Sequence, residues 1–266
     1  MTRDAGGPGA DEQLDGPGIF AGLARAGRFR DEETAEHVER MSRSCSLIAA
    51  QLGWSPHGCS RLRTASALHD IGKIGIPDAV LLKPGPLTTA ERAIVERHPE
   101  IGCEILAGSS DPVMQLAGSI ALTHHERIDG TGYPAGLRGA EIPLPGRIAA
   151  VADVFDALTR DRIYRPALPL EEALSILRSG RGTQFDPNVL DAFEKVLPSV
   201  LEIGRRFPDS SPHLRGASVA VIPSAPGRAV VLRRPSVGRQ SSLPGGAEDA
   251  PATARRRGWG GSAHVA

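Results

Sequence analysis

The stretch HDIGKIGIPD, which begins at His69, restricts the possible folds of this chain more than any other segment. His69 and Asp70 stand side by side where a helical pattern stops at Gly72, and Lys73 follows. Imidazole and carboxylate are ligands for a divalent metal, and a nearby ammonium suits an anion such as phosphate. Alone the pair would mean little, but it has company. Upstream, Glu33 and His37 in DEETAEHVERM share one helix face through their i,i+4 spacing. Downstream come His98 in ERHPEIG, His124 and His125 in ALTHHERIDG, and Asp153 in AAVADVFDAL. A lone buried histidine is usually satisfied within a core, and a His-His pair often marks a helix end that favours positive charge. Five histidines and three acids near the ends of predicted helices are harder to explain that way. Buried without partners, each would cost several kcal/mol, and shared metals would remove that cost. The fold must therefore bring helix ends together around one centre. The remaining histidines, His57, His213 and His264, lie in a helix start or in tail-like sequence and read as surface residues.

The pattern between these residues is helical. Val38, Met41, Cys45, Ile48 and Leu52 mark one face of a helix that ends at Gly53. Ser55-Pro56 opens the next helix, which delivers His69 and Asp70 at its end. Thr88 and Glu91 have capping-box spacing, and Pro99 predicts a kink or break after His98. Asp111-Pro112 starts the helix that ends at His124-His125, and Pro145 precedes the helix of Asp153. Helices over Leu170 to Leu177 and Asp186 to Leu197 complete the set. Strand signals are nearly absent. The expectation is an all-α bundle around a multinuclear metal centre.

Composition narrows the function classes. Lys and Arg number 31, as do Asp and Glu, so no general attraction to nucleic acid follows. No segment approaches the ~20 apolar residues of a membrane span, and residues 1–18 are neither signal peptide nor anchor. Cys45, Cys59 and Cys103 have no CxxC spacing and read as small residues of a reducing compartment, so a cytoplasmic location is expected. Ligands without thiolate also disfavour a structural zinc site. The expected organisation is a flexible tail over 1–18, one domain over 19–206, and a low-complexity tail over 207–266. Arg255, Arg256 and Arg257 are adjacent in that tail, which reads first as a disordered, solvated segment, with a weak attraction for membrane or nucleic acid as the alternative. Its runs SVAVI and AVVLRR flank SAPG and have the form of a hairpin.

From Ala21 to Phe193 the chain resembles the HD-GYP family, a branch of the HD metal phosphohydrolases. The resemblance rests on RDEETAEHVERM, HDIGKIGIPDAVLLKPGPLT, HPEIGCEIL, HHERIDGTGYPAGLRGAEIPLPGRIAAVADVFDALT and TQFDPNVLDAF, with Gly132, Tyr133 and Pro134 as the GYP signature. It implies a helical domain that hydrolyses cyclic di-GMP to pGpG or GMP by attack of a metal-bridging hydroxide, with two or three divalent metals, usually iron or manganese. It implies Asp70 as a bridging carboxylate, His69 and Asp153 on one metal, His98, His124 and His125 on another, and Glu33 with His37 completing a third. Lys73 would meet a phosphate oxygen. The Gly- and Pro-rich loop from Ile128 to Pro143 is linked in the family to substrate recognition and to contacts with GGDEF-type synthases. Tyr133 in that loop is expected to stack on a guanine or bond a phosphate. Asp31, Asp156, Arg162 and Arg165 are further candidates to flank the nucleotide, each readable equally as a surface charge. Two other functions stay open: an HD phosphohydrolase of another nucleotide, and a non-catalytic module that binds cyclic di-GMP or docks a synthase. A homodimer is compatible with either.

Overall fold

Helix starts in this chain are set by Ser, Thr, Asp and Pro. Ser55 accepts a hydrogen bond from the Gly58 amide, Asp111 from Val113 and Asp186 from Asn188, and each is followed by proline. Such an oxygen satisfies an amide that the first helical turn leaves open, and proline at N1 has no amide to lose. Thr88 and Glu91 form the full capping box. In a computed structural model, residues 19–28, 35–161 and 166–209 are described. They hold ten α-helices: α1 (Ile19–Arg28), α2 (Ala35–Gln51), α3 (Pro56–Ser66), α4 (Asp78–Leu81), α5 (Thr89–Val95), α6 (His98–Leu106), α7 (Pro112–Thr123), α8 (Leu144–Leu158), α9 (Leu170–Ser179) and α10 (Pro187–Arg206). Among the described residues there is no strand, only isolated bridges between Asp129 and Arg138 and between Arg181 and Phe185. The fold is all-α.

The boundaries differ from expectation in three places. Pro99 does not kink a helix from within. The chain breaks between α5 and α6, and Pro99 sits in the first turn of α6. Pro145 likewise lies inside the first turn of α8. α10 runs past Leu197, through Pro198, to Arg206. Proline removes one backbone bond there, but Val200 beyond it is buried in the core and holds the helix on course. Described residues after α10 pack back on α2: Arg40 donates to Phe207 O at 2.9 Å and to Asp209 at 2.9 Å, and the Arg43 guanidinium lies 4.8 Å from the centre of the Phe207 ring. The expected 1–18 tail, the Arg-rich stretch and the hairpin lie outside the described residues.

α2 is the central helix and packs on α3, α8 and α10. Its inner residues Met41, Cys45, Ile48 and Ala49 are fully buried, following the helical period. Leu62 and Ala65 of α3, Ile148 and Ala149 of α8, and Val189 and Phe193 of α10 are equally buried in the same core. Burial of each large side chain contributes roughly 1.5–3 kcal/mol.

Glycine then decides how closely the ligand-bearing segments meet. A Cβ on Gly72 would collide with His98 O and the Gly102 amide, and one on Gly146 would collide with Thr123. Both collisions involve backbone or a buried side chain, so the absent Cβ is what lets the turn after Asp70 lie against α6, and α8 lie against the end of α7.

Candidate metal centre

All but one of the described candidate ligands project from a point where a helix begins or ends. His37 stands in the first turn of α2, and His69 and Asp70 form the turn after α3. His98 opens α6, His124 caps the C-terminus of α7, and His125 follows it. Asp153 lies in the middle of α8. The side chains converge into two groups, His37 with His69 and Asp153, and Asp70 with His98, His124 and His125; within each group the ligand atoms lie within 4.8 Å of one another. Asp70 joins the groups. Its Oδ1 is 3.0 Å from His98 Nε2 and 3.5 Å from His124 Nε2, while its Oδ2 is 3.4 Å from His69 Nε2 and 2.6 Å from Lys73 Nζ. The rings form a continuous series, with centroids 5.7 Å apart from His37 to His69, 5.2 Å from His69 to His124 and 3.9 Å from His124 to His125.

The decisive detail is what the other ring nitrogens do. His37 Nδ1 is 2.8 Å from Asp156 Oδ2, His69 Nδ1 3.0 Å from Ser66 O, His98 Nδ1 2.8 Å from Val95 O, and His124 Nδ1 3.0 Å from Ala121 O. Each of these oxygens can only accept, so each Nδ1 holds the proton and each Nε2 presents a lone pair. Metal-ligating histidines are oriented in this way. His98 Nε2 and His124 Nε2 are buried and make no hydrogen bond, although Asp70 Oδ1 is close to both. Short distance without hydrogen-bond alignment is expected when several atoms aim at one point between them. The donors present therefore fit a multinuclear metal site.

Electrostatics agree with neutral rings. Burial pushes the His69 imidazole down to about 4, against the pull of Asp70 and Asp153, and burial also lowers His125, helped by His124 and His98. Neutral imidazole is the ligating form. Burial raises the Tyr133 phenol, which keeps its proton and can donate it in a hydrogen bond.

Not every expected site residue is where the sequence suggested. His37 groups with His69 and Asp153, its Nε2 3.6 Å from Asp153 Oδ1. Glu33, Asp31, Arg162 and Arg165 lie outside the described residues. Asp156 was expected at the nucleotide. It is buried, and both its oxygens are taken, by His37 Nδ1 and by Arg40 at 2.6 and 2.8 Å. It braces a candidate ligand from behind. Burial alone would raise its carboxyl, but His37 and Arg40 outweigh burial and bring it to about 2. Lys73 rests on Asp70. Tyr133 stacks on His125, centroids 4.8 Å apart and planes 26° apart, so one face of the phenol is already covered.

Two contributors, Arg40 and Glu126, were missed, and Gly132 of the GYP signature has a role the sequence did not show. Arg40 lies one helical turn after His37, and that spacing was the available signal. Glu126 is buried and accepts hydrogen bonds from the Ala135 amide at 2.7 Å and the Leu137 amide at 3.0 Å, which fixes the loop carrying Tyr133. Gly132 presses on the His125–Arg127 backbone, where a Cβ would collide with the Arg127 amide.

Comparison with known proteins locates this architecture. The family model described as "HD domain" matches residues 28–189. The chain is 48% identical over 189 residues to the cyclic di-GMP phosphodiesterase response regulator RpfG of Xanthomonas campestris pv. campestris (strain 8004), covering 71% of this chain and 50% of that one. It is 47% identical over 181 residues to a cyclic di-GMP phosphodiesterase of Thermotoga maritima, covering 68% of this chain and 49% of the relative. The chain thus spans about half the length of these relatives. Among solved structures, a cyclic GMP-AMP specific phosphodiesterase of V. cholerae, V-cGAP3, superimposes with a TM-score of 0.50 at 21% identity, covering 71% of this chain and 52% of that one, a likeness of fold.

Proposed function

The chain belongs to the HD domain family, in its HD-GYP branch, and on that footing we propose that it is a metal-dependent phosphodiesterase that hydrolyses cyclic di-GMP to pGpG or GMP. The observation that carries this reading is the set of four imidazoles with Nδ1 bound outward and Nε2 turned inward, three of them within 3.5 Å of the Asp70 carboxylate and the fourth, His37, beside Asp153. His37, His69 and Asp153 would hold one metal; His98, His124 and His125 would hold another; Asp70 would contact both. Glu33 is the candidate for a third. The mixed imidazole and carboxylate set favours iron or manganese.

Bound metals would supply Lewis acidity and a nucleophile of lowered pKa beside the phosphodiester. The chain's own residues do the rest. Asp70 keeps the two groups at a fixed separation. Lys73, beside Asp70, places a positive charge where a phosphoryl oxygen develops negative charge. Tyr133 offers a protonated hydroxyl at the edge of the cluster. The loop that carries it, over 128–143, is the candidate surface for guanine and for GGDEF-type synthases. The relatives' printed activity and the absence, among described residues, of a helix able to cross a membrane support action on this bacterial messenger in the cytoplasm. We assign the activity to residues 19–206, with the two ends outside the catalytic unit.

The test is direct. The full chain, purified anaerobically and loaded with Fe(II) or Mn(II), is incubated with cyclic di-GMP and separately with cyclic GMP-AMP, and products are separated by chromatography. Conversion of cyclic di-GMP to pGpG or GMP is expected. Binding without product under either metal would leave a sensing module in its place, and turnover of cyclic GMP-AMP alone would reassign the substrate. Metal analysis of the same sample distinguishes two bound ions from three.

A further inference from the structure

A cavity of about 280 Å3 lies between α2, the end of α8, Leu168 before α9 and the C-terminal half of α10. None of the seven clustered ligands lines it. Its apolar walls are Phe155, Leu168, Leu170, Val200 and Leu201. Three guanidinium groups also face it, from Arg40, Arg160 and Arg205.

Those three cations are not equivalent. Arg40 is neutralised by Asp156 and Asp209, and Arg205 by Glu202 at 2.6 Å. Arg160 makes no ion pair among the described residues, and its Nε is buried without a hydrogen-bond partner. Its guanidinium lies directly over Gly204, at a position that a Cβ on that residue would occupy. A glycine inside a helix is unfavourable on propensity grounds, and here the room it leaves is filled by the Arg160 cation. The hydroxyls at the cavity are already committed to the backbone, Ser44 to Arg40 O at 2.7 Å and Thr159 to Phe155 O at 2.8 Å. What remains is a partly apolar chamber in which the half-buried Arg160 cation has no ion-pair partner among the described residues.

We infer that this cavity is a binding site for a small amphipathic monoanion, an apolar body with a single acidic head that meets Arg160. The volume falls just below the range of about 300–1,000 Å3 usual for drug-sized ligands, which suits a small one, and the wall combines apolar side chains with a few polar groups, as such pockets do. A dianion would leave one charge without a partner, and a neutral apolar molecule would leave the guanidinium without one. The site is independent of the phosphodiesterase reading, because no residue of the candidate metal cluster takes part. It is adjacent to that cluster all the same: Asp156, which orients His37, and Arg40, which holds Asp156, form part of its wall.

The probes are 8-anilinonaphthalene-1-sulfonate, which carries one negative charge, and the neutral N-phenyl-1-naphthylamine of similar shape, titrated by fluorescence against the full chain. Saturable binding of the sulfonate at one site is expected. Arg160→Ala should weaken the sulfonate about tenfold, the worth of one charged hydrogen bond, and leave the neutral probe unchanged. Gly204→Ala separates site from fold. It improves helix propensity, so the melting temperature should hold or rise, while the new methyl displaces the guanidinium and sulfonate affinity falls. Leu201→Trp, which fills the chamber, should weaken both probes. Absence of saturable sulfonate binding, or equal binding by the wild type, Arg160→Ala and Gly204→Ala, would overturn the inference.

Discussion

The two ligand groups look alike in composition but are held by different means. His98 and His124 lean on carbonyl oxygens three or four residues away, Val95 O for the first and Ile120 O and Ala121 O for the second. Once α5 and α7 form, those oxygens are in place. His37 leans on Asp156, 119 residues further along the chain, and Asp156 is held in turn by Arg40. The first group is positioned by local backbone; the second has one local brace, Ser66 O on His69, and adds for His37 a buried side-chain network spanning two helices. A local brace has no side chain to remove. The long-range brace can be cut by one substitution. The groups should therefore fail separately, except at the residue they share.

That shared residue gives the largest effect. Asp70 faces both groups, so Asp70→Asn should abolish the distinction by weakening both. Loss of a shared charged ligand removes several kcal/mol of transition-state stabilisation, and the expected fall in turnover is roughly a thousandfold. Elemental analysis should show metal missing from both groups. Full turnover by Asp70→Asn would mean that the two groups do not work as one centre.

Asp156→Asn tests the comparison itself. The amide keeps the size of the side chain but removes its charge, so His37 loses its carboxylate acceptor and Arg40 its main counter-ion. Changing an outer partner of a ligating histidine costs about 10–100-fold in metal affinity. The metal at His37, His69 and Asp153 should weaken by that factor, while the one at Asp70, His98, His124 and His125 stays. Breaking a buried ion pair costs about 3–5 kcal/mol. Asp209 still reaches Arg40 at 2.9 Å, so the lower end is expected, read as a fall in melting temperature. Loss of both metals together, or of neither, would break the separation drawn above.

The same difference explains what the sequence disclosed. His69, Asp70, His98, His124 and His125 could be placed because each stands beside a local signal: a capping residue, a proline, or the end of a 3.6-residue pattern. The sequence reading stops α10 at Leu197, and the packing of Val200, which carries the helix through Pro198 to Arg206, leaves no local signal. Asp156 was seen as a charge near the site, but a sequence gives no direction to a side chain. Its role depends on Arg40, 116 residues away, and no period or spacing records that contact. Gly72 read as a helix stop. Its deeper role is to admit the backbone of α6, which becomes visible only when the two segments are side by side.

Glu126 sharpens the comparison in another way, because it braces neither group directly. It holds the loop whose Tyr133 covers His125. Glu126→Gln retains one acceptor for the two amides it now serves, and the unserved amide costs about 1–2 kcal/mol. Metal content should not change. The loop should loosen, and KM for the nucleotide should rise roughly five- to thirtyfold with a smaller effect on kcat. A fall in metal content with unchanged KM would move Glu126 from the loop to the centre.

The smallest effect probes whether local structure really underwrites His98. Its acceptor, Val95 O, is the last residue of α5, and that helix begins with the Thr88–Glu91 box. Thr88→Ala should cost about 1 kcal/mol, or roughly 2–4 °C in a domain of this size, with at most a slight loss of metal from the His98 group and none from the His37 group. The charge in the box gives a pH test with a definite sign. Hydrogen bonding from Lys83, and then from the Thr88 amide and hydroxyl, lowers the partly exposed Glu91 carboxyl from its usual 4.5 to about 2. A carboxyl lowered in the folded state stabilises above its unfolded pKa, and loses that contribution as pH falls through the folded value. Measured on metal-free protein, the gap in melting temperature between wild type and Glu91→Gln should be full at pH 7, narrow below pH 4.5 and close near pH 2. A gap independent of pH would show that the carboxylate's charge does not hold α5, and that the carbonyl orienting His98 owes its position to packing instead.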